Sequence, residues 1–439
     1  MKSFLLSSLW LSLATGLAAP APRPNPSAVS YDGHKVLRVK TGLHREWVHN
    51  QLSTLKYDTW SHDEPGHVDL VVSAEEFAKL QKLGLDYHTM HEDLGKSISS
   101  ERAPKSTWKR TVDDLAWFDS YHPYEEHLNW FRQLHASFPN QSEIISAGKS
   151  YEGRDLLGIH LWGGKGPGKP AVLWHASVHA REWITTPTVE YLALQLVNGY
   201  KSGDNVTQGF LDSYDFFIFP FVNPDGFVFT QTTNRLWRKN RQPSPRNSTC
   251  IGRDINRNWE YGWNANTRGA STNPCSEVYR GEAPSDAPEN KAYDTHLRKL
   301  RDTQGIKLYI DWHSYGQYIL SPYGANETQY APSLGKWTHV SSLISEAIRD
   351  SSDARTTFTF GPSGATLYTT TGAAPDHVYT IGGAEWSYTI ELRDTGDFGF
   401  VLPAEQILPN AKEQWIGQQI LLSLLDEVFF DGKGPAIFF

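Results

Sequence analysis

Downstream of about residue 110, apolar runs of strand length alternate with stretches of helical periodicity, and that alternation confines the chain to the α/β class. The runs at 171–176, 216–222, 308–312 and 387–392 read as strands of a mixed, largely buried central sheet, and 186–200 and 410–429 read as helices. No internal repeat interrupts the pattern. With 439 residues the chain is long enough for one large domain and a smaller one. Its 16 Trp and 13% aromatic residues suit a globular enzyme rather than a disordered or repeat protein. A net charge of -8 is mild at this size, and Lys and Arg do not cluster as they do in proteins that track phosphates, so no nucleic-acid partner is expected.

The N-terminus speaks to compartment. Lys2 precedes an apolar run over 4–17 and a small-residue stretch ending Ala18-Ala19-Pro20, the pattern of a secretory signal peptide over 1–18. That run is short for a membrane span, and no later one reaches the roughly 20 apolar residues a span needs, so no membrane partner is expected. In an oxidising compartment the only two cysteines, Cys250 and Cys275, most simply form one disulfide, with two buried thiols as the alternative. Asn-X-Ser/Thr triplets at Asn140, Asn205, Asn247 and Asn326 are compatible with a glycosylated secreted protein. A first unit over 19–110 carries its own strands at 36–39 and 68–72 and a helix at 75–83. After it, 95–111 reads as a polar linker whose dibasic Lys109-Arg110 is a processing site or a plain surface loop. The remainder, 111–439, is the large domain.

Three separated stretches carry groups that a peptidase metal site needs: His179-Ala-Arg-Glu182-Trp183, His313 within Asp311-Trp-His-Ser-Tyr315, and Glu391 within Glu-Leu-Arg393-Asp394. Two imidazoles and one carboxylate leave a bound metal with an open position for water, and a further carboxylate can move protons. His179 and Glu182 follow one predicted strand and His313 follows another, so they can meet in a crevice at the strands' carboxyl ends. Each has a bland alternative. His122-Pro-Tyr-Glu125 repeats the His-X-X-Glu spacing, His175 and His313 can be satisfied core histidines, and Glu391 with Arg393 can be a structural ion pair.

Six motifs taken together carry a resemblance: His179-Ala-Arg-Glu-Trp-Ile184, Asn223-Pro-Asp-Gly-Phe227, Asn234-Arg-Leu-Trp-Arg-Lys239, Asp254-Ile-Asn-Arg-Asn-Trp259, His313-Ser-Tyr315 and Glu391-Leu-Arg-Asp-Thr-Gly396. From about 115 to 430 the chain resembles zinc metallocarboxypeptidases of the carboxypeptidase A type, and its first unit resembles their activation propeptide. The resemblance implies a mixed central sheet flanked by helices, preceded by a small α+β ferredoxin-like propeptide domain. It implies one Zn2+ held by His179, Glu182 and His313, with Asp254 orienting His179. Glu391 matches the general base and Arg238 the group that stabilises the oxyanion. Asn256 and Arg257 match the clamp on the substrate's terminal carboxylate, and Tyr368 the tyrosine that caps it. Arg181, Ser314, Tyr315 and Phe400 would line upstream subsites, and Arg235 would assist carboxylate approach.

Counting on from Tyr368 puts Pro375 at the specificity-pocket floor, with Gly361, Ser363, Gly372 and Ala373 nearby. No acid lands there, so aromatic or large aliphatic C-terminal residues are the expected preference; a one-residue shift would bring Asp376 to the floor instead. The implied partners are peptide and protein C-termini and an activating protease, and the resemblance implies a monomer. Retention of the three ligands, Arg238 and Glu391 argues against an inactive binding module. A serine hydrolase would need a Gly-X-Ser-X-Gly elbow, which the chain lacks.

Overall fold

The structure is a computed structural model that describes residues 28–61, 66–102, 111–244 and 248–427. The expected signal segment, Lys109-Arg110 and Asn247 lie outside the described residues.

The first unit comprises β1 (Lys35–Lys40), α1 (Arg45–Leu52), β2 (Asp58–Thr59), β3 (His67–Val72), α2 (Ala74–Leu80), β4 (Tyr87–His91) and α3 (Leu94–Arg102). Its four strands form an antiparallel sheet in the order β2-β3-β1-β4. Side chains alternate across a strand. Leu37 and Val39 of β1 therefore face a core with Val48, Leu52, Leu70 and Leu80. Val36 faces the opposite way, into a cluster with Trp60, Leu94, Ile98, Leu236, Tyr315 and Phe400 that joins the first unit to the second.

Residues 95–102, expected as polar linker, belong instead to helix α3. The reason is tertiary. Leu94 and Ile98, one turn apart, pack into the joining cluster, and buried Glu101 continues the same side of the helix toward Arg235. With only two apolar residues in that stripe, periodicity could not reveal it.

The second unit is built on β5 (Ser142–Lys149), β6 (Asp155–Leu161), β7 (Ala171–His175), β8 (Asp215–Phe219), β9 (Ile306–Ser314), β10 (Tyr318–Ser321), β11 (Thr359–Pro362) and β12 (Trp386–Leu392). They form one mixed sheet in the order β11-β10-β12-β9-β7-β8-β6-β5, with β12, β9, β7 and β8 parallel. The helices are α4 (Tyr124–Ser137), α5 (Thr185–Ser202), α6 (Asn205–Ser213), α7 (Pro224–Thr232), α8 (Pro288–Thr303), α9 (Leu334–Ser351), α10 (Ser363–Thr366), α11 (Ala374–Thr380) and α12 (Ile407–Leu424). One sheet face packs Trp174, Ile310, Trp312, Tyr388 and Ile390 against α4, α5, α9 and α12. The other packs Leu173, Phe219 and Tyr309 against α8 and α11. Because neighbours alternate, Asp311 and His313 share the second face with Tyr309, and Thr389 and Glu391 lie opposite the first-face residues Tyr388 and Ile390. The polar residues of the strands thus emerge together beyond the α8–α11 core.

Cys250 and Cys275 are joined in a disulfide. Among the described residues, no helix is long and apolar enough to cross a membrane.

Candidate metal centre

The turn between β7 and α5 delivers the first two candidate ligands. Ser177 adopts φ 50°; its amide donates to Thr185 Oγ1 at 3.0 Å and its hydroxyl pairs with Thr186 at 2.7 Å. Thr185 in turn donates to the carbonyl of Glu182 at 2.8 Å, so the hydroxyls at the start of α5 fix the segment carrying His179 and Glu182. His313 comes from the end of β9, beside Glu391 in register on β12.

His179, Glu182 and His313 converge with their ligand atoms all within 4.8 Å of one another, and all three are buried. Both imidazoles turn Nδ1 toward the same carboxylate: His179 lies 2.8 Å from Glu182 Oε1, and His313 lies 2.9 Å from Oε2. Behind the first imidazole, Asp254 Oδ1 sits 3.1 Å from His179 Nε2. Asp254 Oδ2 accepts from Arg238 at 2.8 Å (Nη2) and 3.2 Å (Nε). Burial alone would raise the Asp254 carboxyl, but Arg238, His179 and Arg257 outweigh it and hold it well below the usual carboxylate range. Burial likewise opposes the Arg238 charge, and Asp254 and Glu182 more than restore it. Arg238 is therefore a fixed cation whose Nη1 stands 3.9 Å from Glu182.

A cleft opens over this group, lined also by Arg181, Asn256, Arg257, Ser314, Tyr315, Tyr368, Pro375, Glu391 and Phe400. Arg257 is held by bonds from Nε to Gly269 O (2.8 Å) and from Nη1 to Asn256 O (2.9 Å). Gly372, at φ 64°, passes so close to this segment that a Cβ would come within 2.4 Å of Arg257 O, so only glycine lets the Tyr368 loop pack there.

Not every predicted residue reaches the cleft. Arg235 is wholly buried away from it, donating to both carboxylate oxygens of Glu101 at 2.6 and 2.7 Å and stacked 3.9 Å from the Trp183 ring. Asp376, expected off the pocket floor, joins the lining with Ser363, Ala373 and Pro375. Its carboxylate is turned to the backbone amides of Gly324 and Ala325 at 3.0 and 3.1 Å, and burial pushes its pKa up to about 6. The bland alternatives sort clearly. His122 stacks 3.6 Å from Trp117 and pairs with Glu126, apart from the cleft. His175 pairs with Tyr309, and Arg393 with Glu413 rather than Glu391.

The first unit covers the cleft. Its Ser61 lines it, and Trp60 packs 5.3 Å from Phe400. Asp69 of β3, paired across the sheet with Arg38, accepts from Tyr315 Oη at 2.6 Å. Sequence reasoning did not single out Asp69 or Glu101; a buried acid inside a small unit looks like any surface carboxylate until its partner from the other unit is known.

A mixed α/β sheet whose parallel strands end at a His–Glu–His group beneath a small α+β lid has the build of a metallopeptidase made as a precursor. The zinc carboxypeptidase family profile matches residues 127–417, and the carboxypeptidase activation peptide profile matches residues 37–101. The chain belongs to the zinc carboxypeptidase family and carries that family's activation peptide. It is 41% identical over 437 residues to a metallocarboxypeptidase A-like protein of Trichophyton verrucosum, covering 97% of this chain and 100% of the relative. It is 34% identical over 380 residues to carboxypeptidase A4 of Mus musculus, covering 84% of this chain and 87% of the relative. The crystal structure of thrombin activatable fibrinolysis inhibitor (TAFI) superposes with a TM-score of 0.82 at 26% identity, covering 90% of this chain and all of that one. Carboxypeptidase A from Helicoverpa armigera gives 0.77 at 27%, covering 90% and 98%. The protein is thus a metallocarboxypeptidase with an activation propeptide. The family implies zinc, and the donor chemistry fits: two histidines and a glutamate are the set that carboxypeptidase A itself uses.

Proposed function

We propose that the chain is a secreted exopeptidase that removes C-terminal residues from peptides and proteins, preferring aromatic or large aliphatic ones. In this reading 1–18 is the signal peptide, 19–110 the activation propeptide and 111–439 the catalytic domain, freed as a monomer by cleavage after Arg110. Exposure of Asn140, Asn205 and Asn326 supports glycosylation there. The observation that carries the proposal is the meeting of His179, Glu182 and His313 with Glu391, Arg238 and Arg257 in one cleft.

His179, Glu182 and His313 would hold a zinc ion, which when bound supplies Lewis acidity toward a carbonyl oxygen and toward water. Glu391 takes the proton of the attacking water and delivers it to the leaving amine. Arg238 is held in place by Asp254, so it can meet the developing oxyanion without reorganising. Arg257, fixed by two backbone carbonyls, offers a planar guanidinium to the substrate's terminal carboxylate, with Asn256 beside it and Tyr368 as the cap. Arg181, Ser314, Tyr315 and Phe400 take the upstream residues once the propeptide has left. Leu320, Leu367, Ala373 and Pro375 give the specificity pocket apolar walls, while Asp376 is occupied by backbone amides.

Glu182 and Glu391 are chemically alike but hold opposite jobs, and that asymmetry is the test. Glu182→Gln should lose zinc and turnover together, whereas Glu391→Gln should keep zinc and lose turnover by at least about 10²-fold, the low end of what a general base contributes. Metal content and kcat measured on both activated variants check this; zinc retained by Glu182→Gln would overturn the ligand assignment.

A further inference from the structure

Asp311 is fully buried in the middle of the large sheet, on β9 two positions before His313. Residues two apart on a strand point to the same side, so its carboxylate rises beneath the imidazole, with Oδ2 at 2.9 Å from His313 Nε2. That contact is an ion-pair distance, and neither Asp311 oxygen has a hydrogen-bond partner among the described residues. Its neighbours in register are His175 on β7 and Thr389 on β12. His175 meets Tyr309 through Nδ1 at 3.3 Å, and its Nε2 has no hydrogen-bond partner among the described residues, Asp311 included. A carboxylate removed from water at this depth is costly unless a specific partner needs its charge, and an apolar or hydroxyl residue would fill the strand position more cheaply.

The partner follows from the tautomer. His313 directs Nδ1 into the candidate metal group, 2.9 Å from Glu182 Oε2, and a ring nitrogen that ligates a metal carries no proton. The proton of the neutral ring then sits on Nε2. Two groups approach that atom: Asp311 Oδ2 at 2.9 Å and Asn256 Nδ2 at 3.1 Å. The Asn256 amide cannot turn its oxygen there, because Oδ1 is already accepting from the Ala374 amide at 2.7 Å. An amino group cannot accept a proton, which leaves the Asp311 carboxylate as the acceptor.

We infer that Asp311 is a positioning residue of the metal centre: it takes the hydrogen bond from His313 Nε2, fixes that ring as an Nδ1 ligand and makes it a stronger donor. Each imidazole then has its own carboxylate behind it, Asp254 for His179 and Asp311 for His313. Such partners typically change metal affinity by about 10–100-fold. The inference rests on the zinc assignment made above.

The test uses the full-length precursor, its Asp311→Asn variant, which keeps the shape and one acceptor oxygen, and Asp311→Val, which keeps strand propensity and removes the acceptor. Zinc dissociation constants are measured by competition with a chromophoric chelator, and the visible absorption of the cobalt-substituted forms is recorded. Thermal unfolding is followed with and without metal. Zinc affinity is expected to fall about 10-fold in Asp311→Asn and about 100-fold in Asp311→Val, with the cobalt bands shifted. The metal-free variants should melt no lower than the metal-free parent, since a buried charge has been removed. Unchanged zinc affinity in both variants overturns the inference, as does an equal loss of stability with and without metal, which is the mark of a packing role. If the parent chain itself binds no zinc in the same titration, the zinc assignment fails instead, and the two failures are told apart.

Discussion

Glu101→Ala in the precursor tests whether the first unit is latched to the second through one buried ion pair. Glu101 lies in the last turn of α3, and Arg235 follows Asn234 of the catalytic unit; their side chains are each 1% exposed and joined by bonds of 2.6 and 2.7 Å. Breaking a buried pair from one side costs about 3–5 kcal/mol, because the remaining charge stays buried without its counter-ion. Arg235 cannot swing out to water at little cost: it also donates to Phe400 O and Arg181 O and lies against Trp183. Since the two residues sit on different units, the loss falls on docking rather than on either fold. At about 1.4 kcal/mol per decade, the docking equilibrium should weaken by about 10²-fold to several thousand-fold. The assay compares precursor activity before any cleavage with activity after removal of the propeptide, for the parent and the variant. The variant precursor should show raised activity before cleavage and a lower melting temperature, while the two mature enzymes, neither containing residue 101, behave identically. Equal latency and equal melting of the two precursors would refute the latch.

Peptides ending in Phe, Leu and Arg should be hydrolysed by the activated enzyme with Phe and Leu ahead; a higher kcat/KM for Arg would mean that Asp376 serves as the pocket's acid after all. Asp376 also predicts a pH dependence of stability. Burial raises its folded pKa to about 6 from 3.8, so between those values the native state holds a proton that the unfolded chain has lost. Stability contributed by this group is therefore highest below about pH 4, falls as pH rises through 6 and levels off above it, for a total of about 3 kcal/mol. Asp376→Asn should flatten that slope in urea unfolding measured from pH 4 to 8, and an unchanged slope would show that the carboxyl titrates normally.

Of the large sheet only β7, β8, β9 and β12 were legible; β7 and β8 are nearly unbroken apolar runs, as strands covered on both faces must be, whereas β5, β6, β10 and β11 were not singled out. The observed ends differ from the expected ones where a local stop intervenes: β8 ends at Phe219 because Pro220 has no amide to extend the ladder. Helix α5 was legible in its core, and its last turn runs on to Ser202 because Gly203, at φ 81°, accepts the left-handed cap. Helix α3 was not legible. Its formation depends on Leu236, Val401 and Arg235 from the other unit, and a sequence window 95–102 holds no trace of them.

The cleft shows the same division at finer grain. His179, Glu182, His313 and Glu391 could be singled out because six motifs occur together in one order and carry a family resemblance, which no single His-X-X-Glu spacing could do. Asp311 sat inside one of those quoted motifs and carried no separate signal, since a single acid in a strand is as readily an edge residue as a buried partner. Its meaning depends on three facts that only coordinates supply: the depth of β9, the 2.9 Å approach to His313 Nε2, and the Asn256 amide held the other way by Ala374. Asp69 and Glu101 belong to the same class, buried acids whose partners Tyr315 and Arg235 lie 246 and 134 positions away. Sequence spacing exposes ligands that share a turn or a strand. Carboxylates that act through a distant side chain become visible only when burial makes an unpaired charge too costly to ignore.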